Sequence, residues 1–326
     1  MRAGMLGRLL LAAVVLAVTA APAIGEVTVD KTTWRGHEAL KVTNGTVELV
    51  IVTGIGPRIV RYAFVGGENA LGEVAADAKP TTTKLGDWYL YGGHRLWIGP
   101  EIVPDTYAPD NGPITAKVDG GTITLTQPVD VAGIEKIMTV TVAPSGTGVT
   151  VGHRVVNHGK KAIDRSAWAL TVMNGGGFVI IPNEPYKSHD EELQPQRAMT
   201  AWAYTDMSDP RWTWGRKYIL LHVDPAKKAS QKIGVSNRRG WAGYWKNGLL
   251  FIKRYDYTEG ATYPDFGVNT ETYTSENFVE LETLGPMKHL APGQANTHEE
   301  RWTLHKDVQV GSTEDALDAA LSAVLK

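Results

Sequence analysis

From His37 onward, apolar and polar residues alternate over short runs, and each run is closed by a cluster of Gly, Asn, Asp or Pro. Val47, Leu49 and Ile51 alternate with Glu48, Val50 and Val52 directly after Asn44-Gly45, and Ile59 to Phe64 follows a break at Gly54 to Pro57. Asp119-Gly120-Gly121 separates residues 114–118 from 122–126, and Asn247-Gly248 separates 243–246 from 249–253. A period of two is the signature of a strand, and two-residue turns of this chemistry accept the positive φ that joins antiparallel neighbours. Further strand-length runs cover 137–142, 149–156, 168–172, 218–223 and 278–284. Only one helical period stands out after the N-terminal segment. Ser312 to Asp315 read as a helix start, and Ala316, Leu317, Ala320, Leu321 and Val324 share one face, which predicts a helix over about 313–325. Many short strands with almost no helices between them predict an all-β sandwich or barrel and argue against a parallel α/β sheet. No linker-like shift in composition divides Glu26 from Val310, so residues 26–326 read as a single domain.

The first 25 residues have a different character. Arg2 and Arg8 precede an apolar run from Leu9 to Val18, followed by the small-residue stretch Thr19 to Gly25. This is the layout of a cleavable secretory signal peptide over residues 1–25, and the run is short for a transmembrane helix. The expectation is a periplasmic or secreted bacterial protein with no stable membrane insertion after signal cleavage. The absence of cysteine excludes disulfides, thiol catalysis, thiolate metal sites and a lipid-anchored N-terminus. With 33 basic against 35 acidic side chains, the chain has no charge excess to form the basic face that a nucleic-acid partner requires. No P-loop, dinucleotide fingerprint or Gly-x-Ser-x-Gly elbow occurs, and Gly175-Gly176-Gly177 lacks the flanking pattern of a phosphate loop, so no cofactor is expected. His153 and His158 lack the helical spacing of a zinc pair, and no metal is expected.

Two late segments place functional groups on one face. Read as a strand, 265–273 would put Asp265, Asn269, Glu271 and Tyr273 on a common surface, opposite Phe266, Val268, Thr270 and Thr272. In 277–284, Glu280 and Glu282 project one way while Val279, Leu281 and Thr283 project the other. Like charges two residues apart must meet solvent, a cation or a polar ligand. A solvated outer face and a ligand face both satisfy that pattern. A third concentration runs from Tyr89 to Glu101: paired glycines, then His94, Arg95, Trp97 and Glu101, with Asp105, Tyr107, Asp110 and Asn111 close behind. These supply a titratable ring, a fork donor, a stacking surface and a carboxylate within a short span. Sugars offer hydroxyls that need paired donors and acceptors, and C–H faces that pack on indole or phenol rings. The mixture suits a mono- or oligosaccharide better than an apolar ligand. A Gly-rich loop around a structural ion pair is the alternative.

Several segments in this order, Gly56 to Ile59, Gly92 to Trp97, Val155-Val156-Asn157 and Leu281-Glu282-Thr283, resemble the galactose-mutarotase-like (aldose 1-epimerase-like) superfamily. The run from Tyr263 to Pro286, with Pro292-Gly293 and His298 to Trp302, more closely resembles a bacterial family of exported proteins within it, and the likeness spans roughly residues 40 to 305. The resemblance implies a β-supersandwich whose concave face binds sugar. In aldose mutarotases a Glu in a Leu-Glu-Thr strand is the base on the anomeric hydroxyl and a His is the acid. Glu282 matches that Glu. Trp168 to Asn174 carries no His where the acid is expected, so either His94 takes that part or the mutarotase reaction is absent. Arg95, Trp97, Glu101, Asp265, Asn269, Glu271, Tyr273 and Glu280 are then the expected substrate-binding residues. A sugar-binding module without chemistry is the rival reading, and a polysaccharide lyase or hydrolase using paired carboxylates ranks third.

Overall fold

The computed structural model describes residues 26–325. The signal-peptide reading falls on residues 1–25, outside the described residues. Two large antiparallel sheets, one of eleven strands and one of ten, account for nearly all of the strands, and a two-stranded hairpin, Thr81–Thr83 with Gly86–Trp88, stands apart from them. The turns form where the residue chemistry demands them. Gly45, Gly120 and the Asn247-Gly248 pair all have positive φ, and the Asn44 side chain closes its turn by accepting from the backbone N–H groups of Thr46 and Val47.

The first sheet holds, side by side, His94–Gly99, Ile163–Asn174, Phe278–Leu284, Thr270–Thr274 and Gln231–Val235. The register sets Arg95 and Glu282 on either side of Leu170, Trp97 opposite Trp168, Glu271 opposite Glu282, and Lys232 opposite Tyr273. Alternation then sorts every side chain onto one of two faces. Leu96, Ile98, Ala167, Met173, Ile233, Val279 and Leu281 pack inward against Met138, Val151, Phe251, Trp302 and Leu304 of the second sheet, which forms the main core. On the opposite face, Trp97, Trp168, Leu170 and Leu284 build a smaller apolar cluster with Trp88.

The C-terminal helix is Glu314–Val324, capped by the Thr313 side chain, which accepts from the Ala316 N–H at 3.2 Å. Leu317 and Leu321 are its buried side chains, and both pack in a second cluster with Tyr218 and Trp241. Among the described residues, no helix is long and apolar enough to cross a membrane.

One strand expectation needs correction. The segment 265–269 is not strand. Pro264–Gly267 forms a single tight turn with positive φ at Asp265 and Phe266, and the strand begins at Thr270. Positive φ at Asp265, Phe266 and Gly267 takes this stretch out of the extended backbone, so the alternation that looks continuous in the sequence is broken there. Asp265 and Asn269 therefore do not continue the Glu271–Tyr273 face.

Candidate functional site

A cavity of about 760 Å³ opens on the face of the first sheet that is turned away from the second. Its floor and walls are strand residues: Arg95 and Trp97, Trp168 and Leu170, Glu280, Tyr273, and Lys232. Trp88 of the separate hairpin and Glu101, Tyr107, Tyr204 and Ser230 from the connections complete it. Gly92 and Gly93 make the Arg95 strand possible. Both have positive φ, and a Cβ would fall 2.5 Å from the Gly72 carbonyl oxygen at Gly92 and 2.3 Å from that of Ile59 at Gly93. The backbone thus enters the sheet through a gap only glycine fits.

One wall is aromatic. Trp88 and Trp97 meet with centroids 4.8 Å apart, Tyr107 stands edge-on to both, and Trp168 stands edge-on to Trp97 at 5.4 Å. The Arg95 guanidinium lies 4.4 Å from the Trp97 ring centroid and donates from Nη1 to Glu280 Oε1 at 2.8 Å. Its orientation is set from two sides, by ring stacking and by the carboxylate. Tyr107 donates to Glu101 through a short hydrogen bond. Burial and the neighbouring Glu101 push the Tyr107 phenol up, so it stays a donor at neutral pH.

Beneath the opposite side lies a buried charge cluster. Lys232 Nζ is 2.8 Å from Glu271 Oε2 and donates to Glu282 Oε2 at 3.1 Å, and Trp168 Nε1 donates to the same Glu282 oxygen at 3.0 Å. The ammonium is flanked by the rings of Trp168 and Trp202, each 4.7 Å away. Glu271 and Glu282 are fully buried and do not line the cavity. Burial raises the pKa of both carboxyls, Glu271 well above its ordinary range, and Lys232 opposes the rise. Lys232 itself is desolvated, yet the two carboxylates hold it well above its ordinary value.

The site residues expected from sequence thus separate into three groups. Arg95, Trp97, Glu101, Tyr273 and Glu280 meet at the cavity, and Glu271 and Glu282 lie directly under it. His94, Asp265 and Asn269 lie elsewhere. Asn269 is a buried bracket, accepting from the Asn237 N–H and donating to the Asn237 carbonyl. His94 precedes Arg95 by one residue and so points to the other face, into the core between the sheets. The pairing of His94 with Glu282 as acid and base on one sugar ring is corrected on that ground: the sheet itself separates His94 from the cavity. Asp110 is also structural, clamping the buried Arg58 at 2.7 Å.

Sequence reasoning missed Lys232 and singled out no functional role for Trp168. The alternation of Gln231-Lys232-Ile233 already places Lys232 opposite an apolar face, and that was the available signal.

Inside the sandwich, His94 has joined a second polar network. His94 Nδ1 lies 2.8 Å from Thr171 Oγ1, His94 Nε2 2.7 Å from His153 Nε2, and His153 Nδ1 3.1 Å from the His298 carbonyl. Lys253 Nζ donates to Thr171 Oγ1 at 2.7 Å and pairs with Glu300 at 2.8 Å, while His298 Nε2 meets Thr283 Oγ1 at 2.7 Å. One assignment of protons satisfies every contact. His153 donates from Nδ1 to the carbonyl and accepts at Nε2 from His94, whose Nδ1 accepts from Thr171. His298 donates to Thr283, whose hydroxyl donates to Glu300. All three imidazoles are then neutral. Burial depresses them accordingly: His153 and His298 to about 3, and His94 well below its ordinary value. His94, His153 and Glu300 place ligand-type atoms within 4.8 Å of one another, but the two imidazole nitrogens at 2.7 Å share a proton, a spacing shorter than two ligands of one metal adopt.

No family model matches the chain, and no curated protein matches its sequence. Solved structures do match. A TPR-domain containing protein from Parabacteroides distasonis aligns over 84% of this chain at 15% identity with a TM-score of 0.57. This chain spans about half of that protein, 48% of its length. A candidate mutarotase from Salmonella typhimurium aligns over 87% of this chain and 97% of its own at 12% identity, TM-score 0.55. A galactose mutarotase-like protein from Clostridium acetobutylicum aligns over 86% and 99% at 10% identity, TM-score 0.51. The chain has the galactose-mutarotase-like β-sandwich fold. At this level of identity the likeness establishes architecture, and function rests on the site.

Proposed function

We propose that the protein binds a mono- or oligosaccharide in the cavity above Arg95, Lys232 and Glu280. The observation that carries this reading is the pairing, across one open cavity, of an aromatic wall (Trp88, Trp97, Tyr107, Trp168) with a polar side of Arg95, Glu280, Tyr273 and Lys232. Indole and phenol faces pack on sugar C–H surfaces, and fixed donors and acceptors match ring hydroxyls. The candidate mutarotase and the mutarotase-like protein sharing this fold lend the reading support. Calorimetric titration of the protein with a panel of mono- and oligosaccharides tests it. Binding that Trp97→Ala weakens at least tenfold is the expected result, and no heat from any saccharide refutes it.

Aldose 1-epimerase-like chemistry is the second reading, and Glu280 favours it. Among the cavity carboxylates it is the one held in place by Arg95. With His94 turned into the core, the phenols of Tyr107, Tyr204 and Tyr273 are the hydroxyl acids at the cavity, weak acids whose raised pKa values predict slow turnover. Optical rotation of freshly dissolved α-glucose or α-galactose, with and without protein, decides the point. A rate equal to buffer for several aldoses removes this reading and leaves a binding protein.

The location we propose is the periplasm or the medium, with residues 1–25 removed on export. Cell fractionation and N-terminal sequencing check it.

A further inference from the structure

We propose that Glu271 and Glu282 hold one proton between them under the cavity, so that its floor carries no net charge and the site selects uncharged saccharides over acidic ones. The selectivity half rests on the saccharide reading above; the proton half does not.

The two side chains sit directly opposite each other on adjacent antiparallel strands, both without solvent contact. A single ammonium, Lys232, serves both through their Oε2 atoms. Both oxygens of Glu271 and Oε1 of Glu282 lack a hydrogen-bond partner in the protein, the Lys232 contact to Glu271 Oε2 being an ion pair. Two ionised carboxylates around one cation would leave a buried charge uncompensated, and each orphaned acceptor would forfeit its hydration. One bound proton lowers both costs: it neutralises the surplus charge, so that one carboxylate remains for the one ammonium, and a neutral carboxyl forfeits less hydration than an ionised one, as where two carboxyls share a site and cannot both ionise.

The neighbours that bias this proton come from every adjoining element. Glu280 and Tyr273 share the two strands, Asp265 lies in the preceding turn, and Glu101 faces from the cavity rim; all but the phenol favour proton retention by their charge. Lys232 from the next strand and Arg95 from across the sheet oppose it. Burial is the largest influence and favours the neutral form.

With one proton in place the charges around the cavity cancel in pairs. Lys232 balances the remaining carboxylate beneath the floor and Arg95 balances Glu280, while the rim contributes one charge of each sign, Lys79 and Glu101. A ligand carboxylate or sulfate would meet no net surplus of positive charge and would lie beside Glu280. A ligand bearing only hydroxyl, ether and amide groups meets stacked rings and neutral or paired partners.

Infrared spectroscopy at neutral pH reads the proton directly. The wild-type protein should show the carbonyl stretch of a protonated carboxyl, and both Glu271→Gln and Glu282→Gln should lose it, because the surviving carboxyl then pairs alone with Lys232. A wild-type spectrum without that band, or a band that persists in both variants, overturns the proton. Titration calorimetry reads the selectivity. Neutral oligosaccharides should bind at least tenfold more tightly than oligouronates of the same length, and E271Q/E282Q, which leaves Lys232 uncompensated, should narrow that ratio tenfold. Oligouronates binding the wild type as tightly as neutral chains overturn the selectivity. If no saccharide binds, the saccharide reading falls and takes the selectivity with it, while the infrared band alone decides the proton.

Discussion

Acidification should unfold this protein steeply, with a slope set by the buried imidazoles. His94, His153 and His298 are neutral in the folded state, depressed to about 3 in two cases and well below the ordinary value in the third. In the unfolded chain each titrates near about 6.5. A folded pKa lowered below the unfolded one means the unfolded state takes up the proton first, so stability is lost as pH falls below about 6.5. The carboxyl pair acts in the opposite sense. Glu271 and Glu282 are raised, so between about 4.5 and their folded values the native state holds a proton the unfolded state does not, and that contribution fades as pH rises. Below about pH 5.5 the three imidazoles of the unfolded chain bind roughly three protons and the folded pair binds about one, a difference of about two. At about 1.4 kcal/mol per proton and pH unit, stability should fall by about 3 kcal/mol per unit, steepening to about 4 kcal/mol per unit near pH 4.5, where the two carboxyls are about half protonated in the unfolded chain. For a domain with a total stability of about 5–15 kcal/mol, unfolding should be complete near pH 4 or below. Urea denaturation followed by tryptophan fluorescence from pH 8 to pH 4 measures the slope. His153→Gln, whose amide can still donate and accept, should flatten it by about 1.4 kcal/mol per unit. A stability that is level from pH 6 to 4.5, or that rises on acidification, refutes the neutral-imidazole network.

Three further perturbations follow from particular contacts. Lys232→Met removes the cation serving Glu271 and Glu282 and should lower stability by about 3–5 kcal/mol, read as a drop in Tm; an unchanged Tm would mean the pair needs no cation. Gly93→Ala forces a Cβ to 2.3 Å from the Ile59 carbonyl at positive φ and should abolish soluble expression or cost several kcal/mol, whereas Gly45→Ala, also at positive φ but with nothing within 4 Å, should cost only about 1 kcal/mol; thermal melts compare the two. Arg95→Lys keeps the charge but loses the flat guanidinium stacked on Trp97, and saccharide affinity measured by calorimetry should fall about tenfold or more.

The lines of sequence that were easiest to read are those in which chemistry acts over a few residues. The Asn44-Gly45, Gly120 and Asn247-Gly248 turns, the capped helix at Glu314 and the shared face of Glu280 and Glu282 all depend on local geometry, and all are present in the structure. The Asp265 to Asn269 segment was misread because a Pro264 turn interrupts an alternation that looks continuous on paper. Lys232 went unnoticed because its meaning lies in partners far along the chain, Glu271 and Glu282, which no short window contains.

Alternation along a strand is dictated by the backbone pleat, so the amino-acid order alone determined that this chain is built from antiparallel strands; that His94–Gly99 is one of them, and so parts His94 from Arg95, came with the structure and not from that order. It did not determine which face looks outward or which strands lie adjacent. Those are settled by long-range pairing, where the larger apolar surface is buried between the sheets and the remaining face is left to carry Arg95, Lys232 and Glu280 at one cavity. The carboxyl proton and the neutral histidines belong to that second category, because desolvation and shared partners exist only once distant strands have come together.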